Sequence, residues 1–304
     1  MGNGTYSSGR FHTNKKLAMS RHVFQINRKD AGKSILSYLA GRISKMGPDR
    51  LQVALHRKLI SLNGLETQEN LVLHEGDELV IDIAHFVQPR VFPENIPLHI
   101  VYEDEDIILI HKAHGMPCHA GLGVYSGTLL NALAYYYREK GENNLSNGLI
   151  HRLDRGTSGL ILCAKNKLSF QILSNQVKSG NLKRAYLAVT SQVLPKPEGV
   201  IDYPIGRDPQ NSERIWIRED GKMALTHYRL VSESSGKYVY ACQTEFGRTH
   251  QVRIHLAASN APIIGDQRYH GIHADKLYLC SSGIAFQHPV TRVNWEFLVE
   301  DPGF

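Results

Sequence analysis

The sequence predicts an α+β protein in two parts, a small α+β module followed by a larger body built on a mixed or antiparallel sheet. Three observations carry this. The 304 residues make about two domains at ~150 residues each. After residue 96, strand-like segments outnumber helical ones and do not alternate with them as a βαβ fold requires. Charge is also unevenly divided. Residues 1–60 carry 12 Lys and Arg against 2 Asp and Glu, and residues 61–304 carry 23 against 27, so a net of +10 precedes a net of −4. A basic segment on a near-neutral body suits a polyanionic partner, and a solubilising charged face has the same composition.

Residues 1–21, rich in Gly, Ser and Asn, are expected to form a disordered tail. The module spans 22–84. Val23, Phe24 and Ile26 open it as an apolar stretch. Lys33 to Arg42 places Ile35, Leu36, Leu39 and Ala40 on one helical face. Gly47–Pro48 stops that helix, and Asp49 is expected to cap a second one, which buries Leu51, Ala54 and Leu55 and shows Arg50, Arg57 and Lys58 to solvent. A short strand pair turns at Asn63–Gly64, and the alternation of Leu79, Ile81 and Ile83 predicts the last strand. Residues 85–95, with Pro89 and Pro93, read as a linker into a body of residues 96–304.

In the body, VYEDEDIILIHK gives two strands around an acidic turn, Glu103 to Asp106. Helices are predicted over 128–140, with Leu129, Leu130, Leu133 and Tyr137 at helical spacing, and over 168–180, closed by Gly180. GLILCA, AYLAVT, THYRLVSES, YVYACQTEF and NWEFLV read as strands. No glycine-rich nucleotide loop and no G-x-S-x-G elbow occurs, so nucleotide cofactors and a hydrolase elbow are unsupported. Cys118, Cys163, Cys242 and Cys280 form no C-x-x-C pair, and the 16 His show no H-E-x-x-H spacing; reduced thiols and no metal are expected. No apolar run reaches the ~18 residues of a membrane helix. The N-terminus lacks the apolar stretch of a secretory signal, and Tyr6 stands where a myristoylation motif wants Ser or Thr. A cytoplasmic protein away from membranes is the expectation.

Two polar knots stand out. In HRLDRGTSG, residues 151–159, Asp154 lies between Arg152 and Arg155 beside two glycines that permit a sharp turn. Flanking positive charge favours the carboxylate, so this reads as an anion in a cationic pocket or as a structural ion pair at a turn. In FGRTHQVRIHLA, residues 246–257, Gly247 turns the chain, Thr249 is placed to cap a helix, and Arg248, His250, Gln251, Arg253 and His255 crowd together. An exposed basic helix start is the plainer reading.

Together with VYEDEDIILIHKAHGMPCHAG, KRAYLAV, KMALTHYRL and the PIIGD that follows the second knot, these stretches resemble the RluA-like pseudouridine synthases over residues 96–298. Residues 22–84 resemble the small RNA-binding domain named after ribosomal protein S-four. The chain departs from the family at Lys112–Ala113, where Lys-Pro is usual, and at Leu277–Tyr278–Leu279–Cys280, where Leu-His-Ala is usual. The resemblance implies a pseudouridine synthase domain that isomerises uridine in structured RNA by base flipping, with no metal, redox cofactor or nucleotide. It implies Asp154 as the catalytic aspartate, Tyr186 as the active-site tyrosine and Arg253 as the base paired with the aspartate. Asp154 would attack the uracil ring or the ribose anomeric carbon, or assist formation of a glycal. Arg152 would help take the uridine out of the stack, and Arg155, Lys183, Arg248, His250 and Gln251 would contact RNA. The expected partner is RNA, ribosomal RNA of the large subunit before transfer RNA, and the expected state is a monomer. The rival is a noncatalytic RNA-binding protein, which would be expected to have lost at least one of Asp154, Tyr186 and Arg253. A base deaminase fails for want of its H-x-E and P-C-x-x-C motifs.

Overall fold

The computed structural model describes residues 21–43, 46–82, 91–120, 124, 126–142, 148–209, 214–299 and 301–304. The expected tail lies outside these, apart from Arg21, which opens the first strand, and so do residues 85–90 of the expected linker. The chain divides into two compact units, residues 1–90 with 121–125 and residues 91–120 with 126–304.

The first unit holds β1 (Arg21–Gln25), α1 (Ile35–Ala40), α2 (Pro48–His56), β2 (Ile60–Leu62), β3 (Leu65–Glu66) and β4 (Glu78–Asp82), with its strands in the order β1-β4-β2-β3. Asn63 and Gly64, at φ 54° and 82°, make the tight turn between β2 and β3, a backbone that Asn-Gly adopts readily. The helix faces differ from expectation in one place: Tyr38 is buried beside Ile35 and Leu39, and Ala40 is exposed. Gly47 occupies the cap position and Pro48 follows as the first helical residue, where its missing N–H costs nothing. Leu51, Ala54 and Leu55 pack with Ile60, Leu79 and Ile81 into a core confined to this unit.

The second unit comprises β5 (His99–Glu103), β6 (Ile107–Lys112), α3 (Leu129–Glu139), β7 (Ser158–Ala164), α4 (Lys167–Lys178), β8 (Lys183–Thr190), β9 (Glu198–Ile201), β10 (Ile205–Arg207), β11 (Ile215–Ile217), β12 (Thr226–Ser234), β13 (Lys237–Thr244), α5 (Gln251–Ala258), β14 (Leu279–Gln287) and β15 (Asn294–Leu298). Nine strands form one mixed sheet in the order β5-β6-β7-β14-β8-β13-β12-β9, with β15 also on β14. The β7–β14 pair is parallel and the other named pairs of this sheet are antiparallel. β14 was not expected as a strand, because Ser281, Ser282 and Gly283 dilute its apolar pattern, yet it joins β7, β8 and β15.

Both faces of the sheet centre are buried. Ile108, Ile110, Ile161, Cys163, Tyr186, Ala188 and Tyr240 pack with α3 and α5 on one face. Ile107, Leu109, Leu160, Leu162 and Ala164 pack with Leu173 of α4 on the other. That is why β6 and β7 read as continuous apolar runs. Thr128 starts α3 with a reciprocal capping box to Asn131, and Asn166 caps α4.

Candidate active site

Asp154 stands in the turn that leads into β7, where the Thr157 N–H donates to the Asp154 carbonyl at 3.1 Å. The loop below braces this turn. Lys112, 1% exposed at the end of β6, donates from Nζ to the carbonyls of Ala113 and Met116 at 2.9 Å and Arg155 at 3.4 Å. Burial lowers its pKa to about 8. The Cys118 thiol donates to the Leu153 carbonyl at 3.1 Å, and His114 Nδ1 meets the Gly156 carbonyl at 2.7 Å. The two turns are thus locked together, and the carboxylate between them has little freedom.

Neither sequence neighbour pairs with that carboxylate. Arg152 and Arg155 are exposed; Arg152 Nη2 donates to Thr249 Oγ1 at 3.2 Å and Arg155 Nε to the Gly115 carbonyl at 3.1 Å. The partner is Arg253, whose Nη1 donates to Asp154 Oδ2 at 3.0 Å. Arg253 lies in the first turn of α5, and its other edge grips Asp266 through Nε at 2.7 Å and Nη2 at 2.8 Å. Asp266, 1% exposed at its side chain, fixes the plane of the guanidinium so that one N–H points at Asp154. Burial alone would lower the pKa of Arg253, but hydrogen bonds and charge from Asp266 and then Asp154 outweigh it and raise the value.

Thr249 does not cap α5. His250 holds the cap position in a left-handed conformation, φ 58°, without a side-chain cap bond. Its Nδ1 lies 2.7 Å from the Tyr269 hydroxyl, and its Nε2 is 3.8 Å from Asp154 Oδ2. Burial lowers its pKa to about 4 against the pull of Asp154, so the ring is neutral at pH 7 and is no counter-ion.

Tyr186 reaches the same place from β8. It is 8% exposed, and burial pushes its phenol above the ordinary value, so it keeps its proton at neutral pH. Side chains alternate along a strand, so Arg184 shares the Tyr186 face while Lys183 points the other way. Lys183 is accordingly absent from the cleft, whereas Arg184 lines it. Gln251 lines it too, but its amide is committed: Oε1 accepts from the Arg248 N–H, and Nε2 donates to the Leu225 carbonyl and to Thr226 Oγ1. It shapes the turn and offers little to a ligand.

Asp154, Tyr186, Arg253, Arg184, Arg152 and Arg248 line a cleft of about 410 Å³. A wider groove of about 1700 Å³ shares Asp154, Arg152, His250 and Arg253 with it and adds Arg155, Arg268 and Lys276. An acidic group is therefore set deep among cations, with a broad cationic mouth above it. Asp266, Lys112 and Arg184 went unassigned in the sequence reading. PIIGD marked Asp266 only as part of a motif, and nothing local shows that its partner lies 13 residues earlier. Among the described residues, Asp104, Asp106 and His288 form a group able to hold a metal ion. They brace the β5–β6 turn, with Asp104 accepting from the Asp106 and Ile107 N–H groups and Asp106 from Asn166 and Ser169.

Residues 106–258 match the family model described as RNA pseudouridylate synthase. The chain is 33% identical over 248 residues to ribosomal large subunit pseudouridine synthase D of Pasteurella multocida, covering 81% of this chain and 76% of that protein. It is 33% identical over 261 residues to an RNA pseudouridine synthase of Aquifex aeolicus, covering 80% of this chain and 82% of that one. Among solved structures, human RNA pseudouridylate synthase domain containing 1 shares the fold with a TM-score of 0.58 at 22% identity, over 71% of this chain and 87% of that chain.

Proposed function

The chain belongs to the RluA-like family of RNA pseudouridine synthases, and from that premise we propose that it modifies uridines of large-subunit ribosomal RNA through an attack by Asp154 on a flipped-out nucleotide. The enzyme exchanges the N1–C1′ glycosidic bond of uridine for a C5–C1′ bond; N1 gains a proton and C5 loses one. The observation that carries the proposal is the convergence of three side chains from separate elements. Asp154 before β7, Tyr186 on β8 and Arg253 on α5 line one cleft, with Asp154 and Arg253 paired at 3.0 Å.

Asp154 attacks as a carboxylate, and Arg253, itself pinned by Asp266, holds that carboxylate in place. Tyr186 offers a flat face for the base and a protonated phenol for proton transfer. The reacting atoms of a stacked uridine are hidden by its neighbours, so the base has to leave its stack at a cost of a few kcal/mol. The exposed Arg152 and Arg155 meet phosphates in the groove, and the half-buried Arg248 does so at the cleft. The first unit supplies further basic side chains as an S-four-like RNA-binding module, and the reaction takes place in the cytoplasm on RNA alone. Ribosomal RNA is favoured because relatives at 33% to 35% identity act, by their names, on the large ribosomal subunit.

Asp154→Asn preserves shape and removes the nucleophile. Tritium release from C5-labelled RNA is expected to disappear while RNA affinity stays. Turnover within tenfold of wild type would take Asp154 out of the mechanism. Carbodiimide mapping of total RNA with and without the gene identifies the substrate; a lost site in transfer RNA, with ribosomal RNA unchanged, would overturn the ribosomal assignment.

A further inference from the structure

Arg184 is 6% exposed and lines the cleft beside Tyr186, yet its Nε has no hydrogen-bond partner. The carboxylates nearest the reaction, Asp154 and Asp266, are both taken by Arg253. Its register partner on β13 is Thr244, whose hydroxyl is also buried in the same cleft, beside the Tyr186 phenol. The backbone is built around this guanidinium. Gly247 turns there at φ 58°, and a Cβ on it would lie 2.7 Å from Arg184 Cζ. The charge is felt nearby: burial and then Arg184 hold the pKa of His151 down, at about 3. A buried, unpaired cation is destabilising, and a buried polar atom without a partner adds to that cost. A fold that keeps both at the floor of its active cleft has a use for them.

We infer that Arg184 and Thr244 form an acceptor subsite for a carbonyl oxygen of the target uracil and stabilise the negative charge that builds on the ring during isomerisation. Arg184 and Tyr186 are two residues apart on one strand face, about 7 Å. A base stacked on Tyr186 therefore puts an exocyclic oxygen within hydrogen-bond reach of the guanidinium. A phosphate is the less suitable occupant, because Arg152 and Arg155 are exposed and Arg184 is not. The chemistry is the same by each route open to Asp154. If the N1–C1′ bond breaks first, its electron pair stays on uracil and spreads onto the carbonyl oxygens. If Asp154 adds to the ring, the pair it donates pushes an electron pair onto a carbonyl oxygen. In either case the pair later forms the C5–C1′ bond and the C5 proton departs, so no outside reagent is needed. A fixed donor in a site shielded from water stabilises such charge strongly.

The inference rests on the placement of the flipped uracil against Tyr186. Its test is Arg184→Gln in the full chain, assayed by tritium release, by RNA affinity across a salt series and by thermal melting. The expected result is a kcat lower by ~10²–10³, the scale of a lost oxyanion donor, with KM and the salt slope unchanged and a Tm equal to or above wild type. Arg184→Lys, which keeps the cation, is expected to recover at least about tenfold of that loss. A salt slope shallower by about 0.7–0.9 with kcat retained would mean a phosphate ligand and overturn the subsite. So would a kcat within about threefold of wild type, a fall in Tm, or a Lys variant no better than Gln. Asp154→Asn assayed alongside separates the two levels. If it is inactive while Arg184→Gln is fully active, only the subsite falls; if both are active, the reading of the cleft falls with it.

Discussion

The Asp154 carboxylate owes its orientation to a relay of fixed partners. Asp266 holds Arg253 from one side, and Arg253 reaches Asp154 from the other at 3.0 Å. His250, the other nearby ring, is neutral and hydrogen-bonded to Tyr269, so it fills space without competing for the carboxylate. Tyr186 is held differently, by packing on the buried face of β8 that it shares with Arg184 and Ala188. Tyr186→Phe keeps the ring and removes the hydroxyl. If the phenol moves a proton, single-turnover rates are expected to fall by ~10²–10⁴ with little change in RNA affinity. A rate equal to wild type would leave only the stacking face.

At the scale of elements, the site depends on how closely β14 approaches β7. Cys280 and Ser281 pair in parallel with Ser158 and Gly159 just after the Asp154 turn. Gly159 has φ 103°, and a Cβ there would fall on the Ser281 carbonyl and lie 2.6 Å from its amide nitrogen. Ser281, fully buried, donates its hydroxyl to the Leu160 carbonyl at 3.0 Å and closes the seam. Gly159→Ala must therefore strain its own backbone and push the two strands apart. We expect a loss of at least about 3 kcal/mol, since positive-φ strain alone costs ~1–3 kcal/mol and the clash adds to it. For a unit of this size that is a fall in Tm of about 6 °C or more. A fall under about 2 °C in a melting experiment would show that β14 is free to shift.

For the whole molecule, the two compact units have separate cores. One is confined to residues 26–81, and the others begin at residue 107. The catalytic candidates all belong to the second unit, and the positive charge is concentrated in the first 60 residues. Removing residues 1–84 is expected to weaken RNA binding and to make its salt dependence shallower by about 0.7–0.9 per lost phosphate contact. Turnover at saturating RNA is expected to persist. Salt titrations of both proteins on one RNA fragment measure this; equal slopes would show that the basic segment touches no phosphate.

The sequence by itself marked the candidate residues Asp154, Tyr186 and Arg253 and the local structures they sit in. HRLDRGTSG and GRTHQVRIH announced the polar turn and the helix start, and apolar periodicity placed α3, α4, β7, β8, β12 and β13. These signals live within ten or so residues, the range over which turn chemistry and side-chain alternation act. Tertiary structure decided the partners. The flanking Arg152 and Arg155 suggested themselves as counter-ions for Asp154, but the ion pair is made by Arg253, 99 residues away. In KRAY, the lysine looked like the RNA contact, but two adjacent basic residues on one strand point to opposite faces, and the four letters do not reveal which face meets the cleft. Only the packing of α3 and α5 against the Tyr186 face settles that Arg184 points in and Lys183 away. Strand β14, diluted by Ser281, Ser282 and Gly283, was hidden for the same reason: its small residues are explained by strands that approach it from far along the chain.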